Sequence, residues 1–567
     1  MPQDTTPQSF IAHIQQTLVK NWNENAFTDY KGETLRFCDV ARRIAKLHIG
    51  MQTAGLQRGD KVAICGRNSA NWAVAFFATL SYGCIVVPIQ CEFQPEQIHN
   101  IVNHSESRFL FVGDGVARDI DFEAMPHLGG IAHLPDLTIR NTRSEKITYV
   151  HQHLNQLFGE RYPARFGRED VVYRPEVSPE ELAIINYTSG TTGFSKGVMI
   201  PYRALWSNLM FTLQSFGEHV HPGDAILSTL PMAHTYGMTC EMIFGFLQGC
   251  HIHFLVRQPA PSLVMEAAAR IRPAILIAVP LVIEKIVRKH VYQRLDSHRA
   301  RYLLQLPLIK NRVKTRVVQW IRDQFGGNIY QIMTGGAPMN QEIEQFLMSI
   351  GFPITSGYGT TETSPMITYS DWTDHVLGSC GTVVPNMELA LLTRHGQIVH
   401  AGERGCENFE GEVISRGLNV MLGYYKNPDA TREVIDDDGW FHTGDLGSFS
   451  PDGHLFIKGR IKNMLLGANG QNIYPEEIED KLNSMPVVGE SLVLQDGEHL
   501  IALVYPDPDD VQQIPLSQEE VAMVMEQNRT QLNAQLPSYC RLKEIRLHDS
   551  EFAKTAKKSI KRYLYKA

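Results

Sequence analysis

One stretch constrains the fold of this chain more than any other: Tyr187–Gly197, with the sequence YTSGTTGFSKG. Apolar runs flank it, one ending at Ile185 and the other beginning at Val198. This order predicts a strand, a polar loop and a second strand. Glycines let backbone N–H groups face an anion, and Lys196 adds a positive charge, so the loop is predicted to hold a phosphate. A flexible surface linker, the alternative for such a composition, does not explain the apolar runs on both sides.

The loop differs from two common phosphate-binding motifs. In a Walker A loop, glycine precedes the lysine, Ser or Thr follows it and a helix comes next. Here Gly197 follows Lys196, and an apolar, strand-like run comes after it. The glycine spacing also differs from that of a dinucleotide-binding fingerprint. The sequence therefore predicts a different kind of phosphate loop, held between two strands.

Composition excludes several classes of protein. The chain has 567 residues, of which 43% are hydrophobic and 20% charged, so we expect a globular protein too long for a single core. The net charge of -8 argues against a nucleic-acid binder. The nine cysteines include no C-x-x-C pair, which favours free thiols in a reducing compartment. The polar N-terminus lacks the apolar core of a signal peptide, and we therefore expect a cytoplasmic protein.

Strands and helices alternate in the first part of the chain. The pattern predicts a helix over Phe37–Ala54, then strands at 62–64, 84–88 and 109–112 with helices at 71–79 and 95–102 between them. This βαβαβ order implies a parallel sheet with helices on both faces. The apolar run Trp72–Ile89 has the length of a membrane span, but Ser81–Gly83 interrupts it, which favours a buried helix and a buried strand. Residues 113–178 are polar and are expected to form an irregular surface excursion.

The second half of the chain changes character. From about residue 387 the pattern is rich in short strands separated by Gly, Asp and Pro, which suggests a small β-barrel-like part. The last hundred residues read as two strands, a helix and a further strand, a compact α+β unit. The predicted fold class is therefore α/β, with a large domain at residues 1–459 that contains parallel-rich sheets and a small α+β domain at residues 460–567.

Further polar loops follow the predicted strands. Leu230–Gly237 (LPMAHTYG) ends one strand, and ligands of open α/β sheets bind at the carboxyl ends of strands. Glu362 lies in the loop SGYGTTET, where a carboxylate beside a phosphate loop can hold Mg²⁺. Asp445, in a predicted Gly-Asp turn, can accept hydrogen bonds from ribose hydroxyls, and Tyr358 can offer a ring face to a purine. Together these loops suit ATP with Mg²⁺. A substrate carboxylate can act as the nucleophile, so no catalytic triad is needed.

Seven motifs, taken in their order along the chain, resemble those of the adenylate-forming (ANL) superfamily, and specifically its long-chain fatty acid–CoA ligases. The motifs are YTSGTTGFSKG, LPMAHTYG, GGAP, GYGTTE, WFHTGD, GRIKN and GQNIYPEEIE, and they cover nearly the whole chain. The resemblance implies two steps. A fatty acid carboxylate attacks the α-phosphate of ATP to give acyl-AMP and pyrophosphate, and the thiol of CoA then displaces AMP. ATP, Mg²⁺ and CoA are thus implied, as is a mobile C-terminal domain that rotates after Lys462.

The resemblance also implies roles for individual residues. Glu362 and Thr188 are implied Mg²⁺ ligands, and both are implied in catalysis together with Lys558. Asp445 and Arg460 are expected at the ribose. The implied nucleotide-binding set is Thr188, Ser189, Gly190, Thr191, Thr192, Gly193, Lys196, Gly336, Ala337, Pro338, Gly357, Tyr358, Gly359, Thr360, Thr361, Asp445 and Arg460. The implied set for the acyl group and the pantetheine of CoA is His234, Tyr236, Gly336 and Gly470.

The chain departs from the family pattern in two places. The hinge is usually acidic in the family and is Asn463 here, which is expected to bias the rotation differently. In the family the tail reads Thr-x-x-Gly-Lys-Ile-x-Arg, and its lysine stabilises the adenylation transition state. Aligned on Thr555 and Arg562, this chain has Ser559 in the lysine position. Lys558 is the favoured replacement, Lys557 and Lys561 are the alternatives, and a solvated tail without a catalytic lysine is a further possibility.

Residues 284–316 are rich in Lys and Arg, with apolar residues at helical spacing. A solvated helical face explains this pattern, and so does a basic amphipathic surface that contacts anionic lipid at the inner membrane surface. Two other functions also stay open at this stage. One is an acyl-AMP ligase that loads an acyl carrier protein, and the other is a non-catalytic nucleotide- or lipid-binding homologue. The sequence leaves the preferred acyl chain length and the oligomeric state open.

Overall fold

The computed structural model describes residues 10–566 apart from 174–176, 189–195, 258, 293–309, 467–471, 498, 509–510, 512–514 and 555–559. The α-helices are α1 (Phe10–Lys20), α2 (Phe37–Ala54), α3 (Ala70–Tyr82), α4 (Pro95–Ser105), α5 (Asp114–Ala117), α6 (Glu145–Arg161), α7 (Tyr202–Phe216), α8 (Thr235–Gly237), α9 (Phe244–Gln248), α10 (Pro261–Ile271), α11 (Pro280–Ile286), α12 (Lys310–Gln324), α13 (Gln341–Ile350), α14 (Pro428–Arg432), α15 (Pro475–Asn483) and α16 (Gln518–Gln535). π-Helical segments span Met238–Ile243 and Val287–Tyr292.

The strands of the first part are β1 (Asn25–Asp29), β2 (Thr34–Arg36), β3 (Lys61–Cys65), β4 (Ile85–Ile89), β5 (Ser107–Val112), β6 (Gly130–His133), β7 (Thr138–Thr142), β8 (Leu182–Thr188), β9 (Lys196–Pro201), β10 (Ala225–Ser228), β11 (His251–Phe254), β12 (Ile275–Ala278), β13 (Gln331–Thr334) and β14 (Ile354–Ser356). Those of the second part are β15 (Tyr358–Gly359), β16 (Met366–Tyr369), β17 (Thr382–Val383), β18 (Met387–Leu392), β19 (Ile398–His400), β20 (Glu410–Gly417), β21 (Gly423–Tyr424), β22 (Phe441–Phe449), β23 (Leu455–Arg460), β24 (Leu465–Leu466), β25 (Asn472–Ile473), β26 (Val488–Asp496), β27 (His499–Pro506) and β28 (Leu542–Leu547).

Two large, mostly parallel sheets form the bulk of the molecule. One has seven strands in the order β14-β13-β12-β10-β11-β1-β2, and only β2 runs antiparallel to its neighbour. The other has eight strands in the order β21-β9-β8-β4-β3-β5-β6-β7, with a parallel centre from β8 to β6. The predicted α/β class with parallel-rich sheets is confirmed.

The helix α3 is buried between the two sheets and explains the apolar run at 72–89. It contacts β1 of one sheet and β3 and β4 of the other. Its rings continue into a stack in which the centroids of Phe77 and Phe246 lie 4.2 Å apart. The Ser69 side chain accepts a hydrogen bond from Trp72 N at the start of the helix, and Gly83 ends it with φ of 92°. A helix that is apolar on all sides is expected when both of its faces are covered. No described helix is long and apolar enough to cross a membrane.

The prediction of an irregular excursion over residues 113–178 is wrong. This segment contains β6 and β7, which extend the eight-stranded sheet, and the 17-residue helix α6. The polar composition was misleading because α6 lies on the surface. Only Ile147 and Val150 of this helix are buried, so its sequence has few apolar residues to reveal a helical period.

The β-rich part predicted after residue 387 is a five-stranded antiparallel sheet in the order β19-β18-β20-β22-β23. It shares a core with the three-stranded sheet β15-β16-β17, in which Ile367 packs with Leu389, Val413 and Leu455. The prediction that Asp445 lies in a turn is wrong, since this residue lies in the middle of β22. A Gly-Asp pair is typical of turns, but the alternating burial of β22 shows that tertiary packing decides here.

The last part of the chain has a core of its own. The strands β26, β27 and β28 form a small sheet, against which α15 and α16 pack through residues such as Leu482, Met525 and Leu532. This agrees with the predicted α+β composition of the C-terminal unit. The boundary between residues 459 and 460, and the motion of the unit, stay predictions.

Candidate active site

Several motif loops meet at one edge of the seven-stranded sheet. LPMAHTYG follows β10, GGAP follows β13 and SGYG begins at the end of β14. The ends of β13 and β14 are joined by a hydrogen bond of 2.8 Å between Thr334 Oγ1 and Ser356 Oγ. Because these strands are parallel, their loops emerge on the same side, where ligands of open α/β sheets bind.

The phosphate loop begins and ends on paired strands of the other sheet. Thr188 is the last residue of β8, and it lies opposite Lys196, the first residue of β9. The Thr188 hydroxyl donates a hydrogen bond to the Lys196 carbonyl at 3.5 Å. The predicted residues Ser189, Gly190, Thr191, Thr192 and Gly193 lie outside the described residues. The two strands therefore bring the ends of the loop together, as the sequence predicts.

Tyr424 joins the phosphate loop to the acid of the next motif, and sequence reasoning missed it. Its hydroxyl donates a hydrogen bond of 2.9 Å to Glu362 Oε1. Lys196 Nζ lies 4.7 Å from the centroid of its ring. Lys196 and Glu362 thus both contact one tyrosine, and Thr188 lies opposite Lys196 on the neighbouring strand. The only sequence signal was an aromatic residue after Gly423 in GYYKNPDAT, which is equally typical of an ordinary turn.

The side-chain oxygens of Glu362 and Thr188 are of the kind that bind a magnesium ion. The hydrogen bond from Tyr424 uses Oε1 of Glu362, and among the described residues no hydrogen bond to Oε2 is found, so Oε2 can serve a ligand. Glu362 and Thr188 are both only partly buried. Mg²⁺ prefers carboxylate and hydroxyl oxygens together with phosphate oxygens and water. Glu362 and Thr188 therefore fit the predicted metal ligands in chemistry.

Asp445 is the best-defined acid of the site. Its carboxylate accepts a hydrogen bond of 2.6 Å from the Tyr358 hydroxyl and lies 2.8 Å from Arg460 Nε. Asp445 and Arg460 are paired across β22 and β23. Burial raises the pKa of Asp445, whereas the Arg460 guanidinium and the Tyr358 hydroxyl act in the opposite direction. A buried carboxylate held by two donors can still accept hydrogen bonds from ligand hydroxyls through its remaining lone pairs.

Close packing requires one glycine of these motifs and leaves little space at a second. A Cβ on Gly359 would lie 1.8 Å from the Pro365 carbonyl oxygen, so no other residue fits there. A Cβ on Gly335 would lie 3.1 Å from the Tyr236 ring. The next residues, Gly336, Ala337 and Pro338, are exposed at the edge of the sheet. Of the predicted nucleotide residues, Gly357 lies between β14 and β15, whereas Thr360 and Thr361 lie with Glu362 between β15 and β16.

His234 and Tyr236 occupy the predicted acyl side of the site. His234 is half-buried, and its Nδ1 accepts a hydrogen bond of 3.3 Å from Tyr236 N. Tyr236 is buried, and its hydroxyl has no hydrogen-bond partner among the described residues. Burial raises its pKa well above the ordinary value, so the hydroxyl stays neutral. A buried hydroxyl without a partner costs free energy and is typical of a group that meets water or a ligand.

A buried acid supports the loop that carries these two residues. Glu241, in the π-helical segment, accepts hydrogen bonds from Ser228 Oγ at 2.8 Å, Thr229 N at 3.1 Å and Leu230 N at 3.2 Å. Asn68 donates to the same region, at the Leu230 carbonyl at 2.6 Å. The network fixes the backbone just before LPMAHTYG. The sequence shows only a lone acid in an apolar run, which does not indicate the donors that face Glu241.

Glu241 gives a prediction for the pH dependence of stability. Burial raises its pKa to about 8, although its hydrogen bonds oppose this shift. The folded state therefore binds a proton that the unfolded state has lost, and the contribution to stability falls as pH rises from about 5 to 8. We expect the Tm of Glu241→Gln to fall less than that of the wild type over this range, by roughly 2–4 °C in thermal unfolding. The exposed Glu407→Gln is the control, and an unchanged pH slope in Glu241→Gln would contradict the prediction.

The end of the chain is anchored beside the C-terminal core. Arg562 donates two hydrogen bonds to Glu479 at 2.7 and 2.8 Å and a third to the Val493 carbonyl at 3.1 Å. Burial raises the pKa of Glu479 to about 7, against the opposing effect of Arg562. Lys554 and Ile560, which flank residues 555–559, form a β-bridge. The predicted catalytic Lys558 and the predicted pantetheine residue Gly470 lie outside the described residues.

The C-terminal unit also touches the large domain. Asn340 Nδ2 donates a hydrogen bond to Ser484 Oγ, and Arg288 donates to the Ser484 carbonyl at 3.3 Å. At the predicted hinge, Asn463 Nδ2 donates to Glu476 Oε1 at 2.7 Å. An acidic residue at the hinge could not make this contact with Glu476 unless one of the two were protonated. This is a physical consequence of the departure from the family pattern.

Comparisons with known proteins agree with this geometry. Residues 14–425 match the family described as AMP-binding enzyme, and residues 462–566 match the AMP-binding enzyme C-terminal domain. The chain is 29% identical to long chain acyl-CoA synthetase 6, peroxisomal, of Arabidopsis thaliana, over 85% of this chain and 69% of the relative. It is 28% identical to a long-chain-fatty-acid–CoA ligase of Escherichia coli O157:H7, over 85% and 82%. A solved structure of the anthranilate CoA ligase AuaEII with anthranoyl-AMP covers 100% of this chain and 98% of its own, with a TM-score of 0.76 at 19% identity.

Proposed function

The chain belongs to the AMP-binding enzyme family, and from this premise we propose that it is a long-chain fatty acid–CoA ligase. In this proposal the enzyme joins a fatty acid to AMP with release of pyrophosphate and then transfers the acyl group to CoA. The names of the curated relatives support the fatty acid as substrate. The solved anthranilate CoA ligase shares the fold but acts on a different acid, so the fold does not determine the acid.

The observation that carries the proposal is the grouping of opposite charges where the motif loops meet. Lys196 contacts the ring of Tyr424 and Glu362 contacts its hydroxyl, and the pair Asp445–Arg460 lies close enough for the charge of Glu362 to raise the pKa of Asp445. A nucleoside triphosphate with its metal ion can be bound by three such groups: a cation for the phosphates, a carboxylate for the metal ion and a carboxylate for the ribose hydroxyls.

The first step depends on positioning and charge. Lys196 and the phosphate loop would bind the β- and γ-phosphates, and Asp445 would accept hydrogen bonds from the ribose hydroxyls. Glu362 and Thr188 would hold Mg²⁺, which when bound neutralises charge on the phosphates. The fatty acid carboxylate is then the nucleophile, so the protein needs to supply no general base. Lys558 is proposed to stabilise the charge that develops at the α-phosphate.

The second step, transfer of the acyl group to CoA, is proposed to use the C-terminal unit. Arg562 anchors the tail to α15 through Glu479, so this segment moves with the C-terminal unit if that unit rotates. Rotation about the residue after Lys462 would move the tail away from the bound adenylate and bring the segment that contains Gly470 to it. The pantetheine of CoA is proposed to enter beside Gly470. The thiol of CoA attacks the acyl carbon, and AMP leaves with the bonding electron pair.

The acyl group is proposed to lie beside His234, Tyr236 and Gly336. A screen of acids from acetate to oleate, with AMP release measured in the presence and absence of CoA, tests both the acid and the acceptor. We expect kcat/KM to rise from short to long acids, because each buried CH₂ contributes about 0.8 kcal/mol of binding free energy. A maximum at short or aromatic acids would overturn the long-chain assignment. AMP release that needs an acyl carrier protein instead of CoA would favour the alternative acceptor.

Contact with anionic lipid is proposed for the basic region at 284–316. Leu281, Lys285 and Lys289 are exposed and spaced by four residues, so they lie on one side of the segment that begins with α11. Arg288 is partly buried and is engaged with Ser484, so it is not free for lipid. Residues 293–309 lie outside the described part of the chain.

A vesicle assay tests the lipid contact. Reversal of Lys285 and Lys289 to Glu is expected to lower co-sedimentation with vesicles that contain anionic phospholipid by about tenfold or more, since each basic residue near such a surface contributes about 1 kcal/mol. The control reverses Lys543 and Lys566, which are also exposed. Equal partition of the three proteins would show that the basic face is merely solvated.

A further inference from the structure

We propose that Tyr424 is a positioning residue that keeps Lys196 and Glu362 apart while it holds both in place. The inference rests on the proposed function in one respect: the two charged groups are taken to serve ATP and Mg²⁺. It goes beyond that function by assigning a role to a residue that, in the proposed function, contacts neither the phosphates of ATP nor the fatty acid.

The two charged groups meet the tyrosine in different ways. The hydroxyl donates a hydrogen bond of 2.9 Å to Glu362 Oε1. The face of the ring attracts Lys196, whose Nζ is 4.7 Å from the centroid. A cation held by a ring face keeps its N–H donors for other partners, and a carboxylate held at one oxygen keeps the other. Both groups are thus fixed, yet each remains able to bind a ligand.

The backbone around Tyr424 is fixed on both sides. The strand β21 pairs with β9, so that Tyr424 lies opposite Val198, two residues after Lys196. On the other side, the N–H of Tyr424 donates to Thr431 Oγ1 at 2.9 Å, and Thr431 Oγ1 in turn donates to the Asn427 carbonyl at 2.9 Å. A Cβ on the preceding Gly423 would lie 2.7 Å from Thr431, which leaves no room for another residue.

The same region also fixes Glu362 from behind. The N–H of Met421, three residues before Tyr424, donates a hydrogen bond of 2.8 Å to the backbone carbonyl of Glu362. One short segment therefore holds the backbone of Glu362 through Met421 and its carboxylate through Tyr424. Tyr424 itself is only 6% exposed, so its side chain has little freedom to leave this arrangement.

Separation of the charges has a chemical consequence. An ammonium and a carboxylate close to each other in a partly buried site tend to form an ion pair, in which each neutralises the other. Tyr424 supplies each with another partner, the ring face for the ammonium and the hydroxyl for the carboxylate. Two nearby groups have other partners and do not take the place of Tyr424. The Asp445 carboxylate accepts a hydrogen bond from Tyr358, and the Tyr425 hydroxyl donates to Glu106. Burial and the Glu362 charge raise the pKa of Tyr424, so its hydroxyl stays a donor at working pH.

Binding of ATP with and without Mg²⁺ tests the proposal directly. Isothermal titration calorimetry gives the Kd of ATP with Mg²⁺ and with EDTA. The Kd in EDTA divided by the Kd in Mg²⁺ measures how much the metal ion strengthens binding. In Tyr424→Phe we expect this ratio to fall about tenfold, because Glu362 loses a hydrogen bond to a charged group, while Kd in EDTA is unchanged. In Tyr424→Leu we expect Kd in EDTA to rise about threefold as well, because Lys196 loses the ring.

The neighbouring Tyr425→Phe is the matched control. It removes a hydroxyl that donates to Glu106 at 3.2 Å and is expected to leave both Kd values and the ratio unchanged. A wild-type ratio in Tyr424→Phe overturns the proposal, and so does an equal loss in Tyr425→Phe. A fall in Tm of more than about 4 °C in Tyr424→Phe together with loss of ATP binding in EDTA would show a structural role instead. Because no acid is present, the result stands whether or not the chain activates fatty acids.

Discussion

Replacement of Asp445 by alanine is expected to raise the KM for ATP by about a hundredfold or more, with little change in the KM for the fatty acid. Asp445 is 4% exposed, and it is hydrogen-bonded to Tyr358 and paired with Arg460. The substitution removes the acceptor for both ribose hydroxyls, and each lost hydrogen bond to a charged group costs about 1.5–3 kcal/mol. The measurement is the initial rate of pyrophosphate release against ATP concentration.

The control for this prediction lies in the same hairpin. Asp452 is an exposed aspartate in the turn between β22 and β23, where it pairs with Ser450 and His454 and touches no predicted ATP ligand. Asp452→Ala is expected to keep the wild-type KM for ATP. If Asp445→Ala and Asp452→Ala have the same KM for ATP, Asp445 is a structural residue of the sheet and the assignment to ribose is wrong.

Replacement of Lys558 by alanine is expected to slow pyrophosphate release by about a hundredfold or more, because it removes the charge proposed to stabilise the transition state. Transfer of the acyl group from added acyl-AMP to CoA should keep its wild-type rate, since the lysine serves only the first step in this account. The tail can place a lysine reproducibly because Arg562 is fixed to Glu479 and Val493. The measurement compares the two half-reactions in the same preparation.

Lys557→Ala and Lys561→Ala are the matched controls, and each is expected to retain most of the activity. If one of them shows the large loss instead, that residue takes the role assigned to Lys558. If none of the three substitutions slows pyrophosphate release, the first step uses no lysine from this tail. Equal losses in both half-reactions would indicate damage to the C-terminal unit instead of a missing charge.

Local patterns predicted much of the fold. The helix over Phe37–Ala54 has the predicted bounds, and the strands and helices from residue 61 to 112 alternate as expected, because the periods of apolar residues carry this information. The order of strands within each sheet could not be predicted. It depends on pairings between distant segments, such as β1 with β11, for which no local signal exists.

The candidate site was predictable where a motif carries its own chemistry. Lys196 and Glu362 are recognisable as a cation and an acid in polar loops, and the structure brings them together. Tyr424 was missed because its role depends on a residue 62 positions earlier, and Glu241 was missed because an acid in an apolar run gives no hint of the three donors that face it. Asp445 was recognised, but its Gly-Asp pair indicated a turn and tertiary packing places it in a strand.

The most direct test of the central claim follows the two products in order. The protein is mixed with ATP, Mg²⁺ and palmitate without CoA, and pyrophosphate is measured before and after CoA is added. The account predicts no pyrophosphate without palmitate, about one equivalent per active site with palmitate, and continuous release of AMP and palmitoyl-CoA once CoA is present. Release of ADP and phosphate in place of AMP and pyrophosphate, or no product that depends on an acid, would contradict it.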